Sequence, residues 1–212
     1  GMVDIGLVSR DLHPQEVKKG AVPIIVAKDA VICTLNPANP NYKALLKRGL
    51  TQEELAEIFA SRKFKTWNQI DPQFTADPIN VYVRSDAAGA AETWAKFFGR
   101  KQEDLQGVGI FGDPGIAQAI KDDKFGIGFN NINYVYNLKT NKVFDHIDVL
   151  PLDLNKNGQI EADEQFYGSL SDLTGAVAAG KYPTPPSRDL TFVTRNKTES
   201  LLLKEFISFV LQ

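Results

Sequence analysis

Short runs of β-branched and aliphatic residues alternate along the chain with stretches whose apolar positions recur every three or four residues. That alternation predicts an α/β protein with largely parallel sheets. The strand candidates are Val3–Val8, Val22–Val26, Ala30–Leu35, Ile79–Arg84, Val108–Phe111, Ile132–Asn137 and Leu190–Thr194. Four helices are marked more sharply. Thr51-Gln52-Glu53-Glu54 is a capping box, with Leu50 and Leu55 placed as a hydrophobic staple and Leu55, Ile58 and Phe59 on one face. A second helix runs from near Gly89 through Trp94, Phe97 and Phe98 to a stop at Gly99. A third opens at Asp113-Pro114, in the order of a cap followed by a first-turn proline. The last runs from about Thr198 to the end and sets Leu202, Phe206, Phe209 and Val210 on one face. Pro183-Thr184-Pro185-Pro186 reads as a stiff connection ahead of a strand.

Composition narrows the possibilities. The chain has 212 residues, 43% of them hydrophobic, enough for one sizeable core or two small ones. Charge is nearly balanced, with 24 Lys and Arg against 26 Asp and Glu and no basic block, so a nucleic-acid partner is not expected. The longest apolar runs, such as Ala21–Ala27, are far shorter than a membrane span. Gly1-Met2 reads as a tag remnant ahead of an initiator, and no signal peptide opens the chain. The lone Cys33, within Ala30-Val31-Ile32-Cys33, reads as a buried small residue. The two histidines, His13 and His146, are far apart and lack partners at triad or metal spacing. No nucleophile elbow, phosphate-loop lysine or dinucleotide fingerprint occurs, so the chain reads as a binder and not as an enzyme.

Two groups of residues carry candidate binding chemistry. Arg84 ends a predicted strand five residues before the helix that starts at Gly89. A guanidinium fork beside orphan helix amides is the donor set an oxyanion takes. Arg84 is also readable as an ordinary ion-pairing arginine, with Asp86 as partner. Ser9 and Arg10 close the first strand, where open α/β sheets present their binding loops, and Asn130 follows Gly128-Phe129 at a strand edge. Arg10 equally suits a solvated strand end, and Asn130-Asn131 a turn.

The second group is Asp153-Leu154-Asn155-Lys156-Asn157-Gly158-Gln159-Ile160-Glu161-Ala162-Asp163-Glu164. It matches the twelve-residue EF-hand spacing, with oxygen ligands expected from Asp153, Asn155, Asn157, the Gln159 carbonyl, Glu161 and Glu164. Ca2+ is the cofactor this spacing implies, bound structurally, with Ile160 packing inward. A solvated polar turn is the alternative reading.

Four stretches resemble, in order, solute-binding proteins of phosphate-type ABC transporters. They are Val3-Asp4-Ile5-Gly6-Leu7-Val8-Ser9-Arg10; Ala27 to Ile32 with Asn36-Pro37 and Asn39-Pro40; Leu50-Thr51 through Ile58-Phe59, Ser61 and Trp67; and Val83-Arg84 to Gly89, followed by Gly126-Ile127-Gly128-Phe129. The resemblance implies a two-lobed periplasmic-binding-protein-like fold with crossover strands. One lobe is expected at 30–126, the other from 1–29 plus 127–212. That second assembly is expected to be incomplete, because the family has a strand, a Ser/Thr-rich loop and a helix ahead of the stretch that opens this chain. It further implies phosphate or a related oxyanion as ligand, ABC transporter membrane subunits as partners, and a periplasmic or extracellular location. Ser9, Arg10, Arg84, Gly89 and Asn130 would face the anion. Ala88 and Ala90 stand where the family has hydroxyl side chains, which leaves strict phosphate selectivity open. The competing expectation is a calcium-stabilised extracytoplasmic interaction module of the same fold. An unpaired edge on the incomplete sheet also invites a homodimer.

Overall fold

The computed structural model describes residues 3–195 and 200–212. The chain forms two compact units, Gly1–Asp29 with Arg188–Gln212, and Ala30–Ser187. The segment 127–187 packs with 30–126 in the larger unit, because the strand Gly126–Asn131 lies between two of its strands. Leu150, Leu152, Tyr167 and Tyr182 also enter the same core as Ile58 and Trp94.

The larger unit begins in the second half of β2 (Ala21–Leu35) and continues through α2 (Tyr42–Arg48), α3 (Gln52–Phe59), β3 (Asn80–Arg84), α4 (Gly89–Phe97), β4 (Val108–Ile110), α5 (Gly112–Asp122), β5 (Gly126–Asn131), β6 (Asp148–Val149) and α6 (Leu170–Ala178). Its sheet runs β2-β5-β3-β4, with β6 beside β2. β3 is parallel to both β4 and β5, whereas β2 is antiparallel to β5 and β6. The sheet is therefore mixed and not largely parallel. Ile132–Tyr134, read as the start of a strand, is a short 3-10 helix, and the strand precedes it at Gly126–Asn131. Two glycines hide that strand from a propensity reading. Both are closely packed: a Cβ on Gly128 would stand 3.0 Å from Ile116 Cγ2 on α5, and one on Gly126 3.0 Å from the Asp123 carbonyl oxygen.

The capping box at Thr51 forms as read. Thr51 Oγ1 accepts from the Glu54 amide at 3.2 Å, and Glu54 Oε2 accepts from the Thr51 amide at 3.0 Å. Arg48 holds the same Glu54 carboxylate through both terminal nitrogens. Thr51→Ala is expected to cost about 1 kcal/mol, the usual worth of such a cap. A urea midpoint lowered with unchanged slope would show this, and an unchanged midpoint would refute it. Cys33 is buried, and that burial pushes its thiol up beyond its ordinary range. A buried, protonated thiol is inert, as the sequence suggests.

The smaller unit holds β1 (Gly6–Val8), α1 (Pro14–Lys18), the first half of β2, β7 (Ser187–Arg195, from Arg188 onward) and α7 (Leu201–Val210). β1 is antiparallel to β7, with Leu7 opposite Phe192, and β7 lies against β2. The sequence breaks β2 at Lys28-Asp29, yet the strand runs straight through. Both charges are matched from β7: Lys28 by Asp189 at 3.0 Å and Asp29 by Arg188 at 3.0 Å. The expected start of the last helix at Thr198 lies outside the described residues. Among those described, Leu203, Ile207 and Val210 form its better-covered stripe, while Leu202, Phe206 and Phe209 are exposed, so Val210 does not share their face.

Candidate functional site

In the larger unit, β3 delivers Arg84 to its C-terminal end, in register with Ile110 of β4. The next five residues turn into α4. Their path is braced by Gln102, which accepts from the Ala88 amide and donates to the Asp86 carbonyl. α4 begins at Gly89 behind Ala88, which has no side-chain oxygen and leaves the helix without a side-chain cap. The first-turn amides of a helix have no intrahelical acceptor, so this end carries unspent donors and a positive dipole end.

Arg84 is nearly buried, its side chain only 8% exposed, and two carboxylates hold it. Asp86 takes it in a two-point contact, with Nε donating to Oδ1 at 2.8 Å and Nη2 to Oδ2. Asp113, on the first turn of α5, accepts from Nη1. Asp86 Oδ1 also accepts from the Gly112 amide at 3.1 Å, so the same carboxylate sits at the start of α5. The arginine beside Asp86 holds that carboxyl well below the usual carboxylate range, with the Gly112 amide adding to the effect. Asp86, more than any other group, holds the Arg84 guanidinium above its ordinary value, with Asp113 assisting.

Asp113 was expected to cap α5. Instead α5 starts two residues earlier, at Gly112, whose φ of +73° suits glycine, and Phe111 takes the cap position. The Asp113 carboxylate turns to Arg84, to the Asn131 amide at 3.2 Å and to Asn131 Nδ2 at 3.4 Å. Asn130 lies behind this cluster, fully buried, its Nδ2 donating to the Asp113 carbonyl at 3.0 Å and its Oδ1 accepting from Thr34. Asn130 thereby ties the start of α5 to Thr34 of β2. Sequence reasoning missed the site roles of Asp113 and Gln102. Asp113 offered a signal, a carboxylate beside Pro114, but that pattern is shared with every ordinary helix start.

Ser9 and Arg10 belong to the smaller unit, in the bend that follows β1. Arg10 is engaged by Glu16 in a two-point ion pair, each contact 3.0 Å. The Arg10 bond, together with the His13 amide, holds the Glu16 carboxyl down at about 2.

The loop Asp153–Glu164 closes on itself. Asp153 accepts from the Asn157 and Gly158 amides at 3.2 and 2.8 Å. Asn155 Oδ1 accepts from the Asn157 amide, and Asn157 Oδ1 from the Gln159 amide. Glu161 accepts from Asn155 Nδ2, and Glu164 from the amides of Leu154, Asn155 and Glu161. Gly158 takes the expected left-handed turn with φ +75°. Ile160 packs inward, so tightly that a Cβ on Gly49 would meet its Cδ1 at 2.4 Å. Among the described residues, no three His, Cys, Asp or Glu side chains gather into a metal-holding group.

A family model described as the PBP superfamily domain matches residues 1–212. Protein SphX of Synechocystis sp. is 35% identical over 98 residues, which is 42% of this chain, and the match spans 28% of that curated relative's length. Among solved structures, a Clostridium perfringens protein determined with phosphate bound superposes with a TM-score of 0.72 at 21% identity, covering 100% of this chain and 74% of that one. An ABC-type phosphate transport receptor from Vibrio cholerae gives 0.69 at 18% identity, covering 99% and 74%. These likenesses establish the fold. They lend no support to a calcium-stabilised interaction module.

Proposed function

From the premise that this chain belongs to the PBP superfamily domain family, we propose that it is a non-enzymatic solute-binding protein for phosphate or a related oxyanion, working with the membrane subunits of an ABC transporter outside the cytoplasm. The observation that carries the reading is the nearly buried Arg84 fork at the end of β3, five residues ahead of the uncapped start of α4. A desolvated guanidinium and convergent helix amides are the donors a tetrahedral oxyanion requires. The C. perfringens protein, determined with phosphate bound, and the V. cholerae phosphate transport receptor favour phosphate among the oxyanions. Among the described residues no helix is long and apolar enough to cross a membrane, which fits a component that meets its transporter from outside the bilayer.

The charge of the cluster shapes the choice of ligand. Two carboxylates flank one guanidinium, so the group is one negative charge in excess. An oxyanion that still carries a proton, as phosphate does near neutral pH, can donate to a carboxylate, whereas sulfate can only repel it. Ala88 and Ala90 contribute no hydroxyl donors, so binding should be weaker than a hydroxyl-lined cradle would give. Calorimetric titration of the dialysed protein is expected to show saturable heat with phosphate and much less with sulfate. No heat at millimolar phosphate would overturn the reading.

A further inference from the structure

Oxyanion binding leaves the loop Asp153–Glu164 unused, and its burial and charge point to a second ligand. Asp153 and Glu164, the first and last residues of the loop, are only 2% and 3% exposed. Carboxylates withdrawn that far from water are ordinarily paired with a cation or bound to a metal. Neither forms an ion pair among the described residues. Lys156, inside the loop, reaches instead to Glu53 at 2.6 Å, and Arg48, which feels the Asp153 charge, is taken by Glu54 and Asp71. Amides meet only part of the demand. A carboxylate offers about four acceptor sites, of which Asp153 uses two and Glu164 three. The remaining acceptor sites, in two nearly buried side chains, have no donor among the described residues.

We propose that Asp153–Glu164 binds one structural Ca2+, which supplies the positive charge these two carboxylates lack. The oxygens between them stand at the intervals of a calcium loop: Asn155 and Asn157 at the third and fifth places, the Gln159 carbonyl at the seventh, and Glu161 at the ninth through water. The Gln159 carbonyl accepts no hydrogen bond among the described residues. Only two carboxylates in this set are direct ligands and the others are neutral oxygens, so no three acidic side chains gather there. An all-oxygen set of this number suits Ca2+ better than Mg2+, and the loop has no His or Cys for zinc. The loop is held in place without an ion. The Asp153 amide donates to the Leu50 carbonyl at 3.0 Å, and the Ile160 amide to the Lys47 carbonyl in the last turn of α2 at 2.8 Å. Calcium would therefore fasten the chain that follows β6 to the corner between α2 and α3. This inference is independent of the oxyanion reading.

The test uses the whole protein, stripped with a chelator and kept free of phosphate, so that the oxyanion site does not contribute. Calorimetric titration with CaCl2 is expected to give one site per chain, with Kd between about 10 µM and 1 mM. At about 10 mM Ca2+ the melting temperature should rise by roughly 5–10 °C, with much less from Mg2+ at the same concentration. Glu164→Gln should abolish both the heat and the calcium-dependent shift. Asn157→Ala, at an exposed position that leaves the fold intact, should weaken binding about tenfold. Asp163→Asn, exposed at a place the shell does not use, should bind as the parent does. Absence of heat and of any shift at about 10 mM Ca2+ would overturn the proposal and leave the loop a self-closed polar turn. So would an equal shift with Mg2+, or a calcium shift that persists in both Glu164→Gln and Asn157→Ala.

Discussion

Arg84→Ala is expected to lower stability by about 3–5 kcal/mol, the loss seen when one partner of a buried ion pair is removed, and to abolish oxyanion binding. The destabilisation arises from what is left behind. Asp86 and Asp113 are left as carboxylates around the vacated guanidinium, with backbone and Asn131 donors in place of the arginine. In a domain of this size the melting temperature should fall by roughly 10 °C. The attribution is tested by Arg84→Met combined with Asp86→Asn and Asp113→Asn. This variant should regain most of the stability, because no carboxylate is stranded, while still failing to bind phosphate. If Arg84→Ala alone melts within a degree of the parent, the Arg84 ion pairs contribute nothing to stability. Arg84→Lys should keep a charge but lose the two-point contact with Asp86, and so fall between.

The same cluster sets a pH dependence. Asp86 is held below the ordinary carboxylate range in the folded protein. Its contribution is therefore fully present above the unfolded value, about 4, and is lost as pH falls below it toward the lower folded value. Stability should be flat in this respect from neutrality to about pH 5 and decline below pH 4. Asp86→Asn should flatten that decline.

What the sequence showed, and what it concealed, divides along a physical line. Features set by neighbouring residues were legible. The capping box at Thr51, the Arg84-to-Gly89 approach, the packing of Ile160 and the burial of Cys33 depend on local spacing or on an apolar run. Features set by distant partners were not. β2 reads as two strands because Lys28 and Asp29 look like a break, and only Arg188 and Asp189, some 160 positions later, make them strand residues. β5 was placed too late, at Ile132–Asn137, because its two glycines carry no strand signal until Ile116 is known to press on Gly128. The packing of 127–187 with 30–126 was hidden for the same reason, since it rests on which strands pair. Within the candidate site, Arg84 was visible as chemistry, but its two-carboxylate clamp needed Asp113, 29 residues away, brought in by α5.

Trp94→Ala should be the most damaging single change in the core, costing about 3–5 kcal/mol. Trp94 is fully buried on α4 and is the hub of an aromatic group. It meets Phe59 and Phe98 edge-on at 5.5 and 5.2 Å, and stacks on Phe129 of β5 at 5.7 Å. Alanine would remove those contacts and open a cavity that rigid neighbours on α3, α4 and β5 cannot fill. Trp94→Phe isolates a second effect. The indole Nε1 is buried and finds no acceptor among the described residues, an arrangement that costs about 1–3 kcal/mol. Phenylalanine removes that donor while keeping most of the ring contact, so its net cost should be much smaller than alanine's. Denaturant unfolding distinguishes the two, and equal losses for both variants would contradict this account. The functional reach of the change follows from the helix: Trp94 anchors the body of α4 to the sheet, and Gly89 at its start presents the amides of the oxyanion site. Trp94→Phe should therefore retain phosphate binding, whereas Trp94→Ala, if it still folds, should weaken it without touching Arg84. Binding undiminished in folded Trp94→Ala would mean that the start of α4 is held by Gln102 and the β3 loop alone, with the aromatic hub serving stability and nothing else.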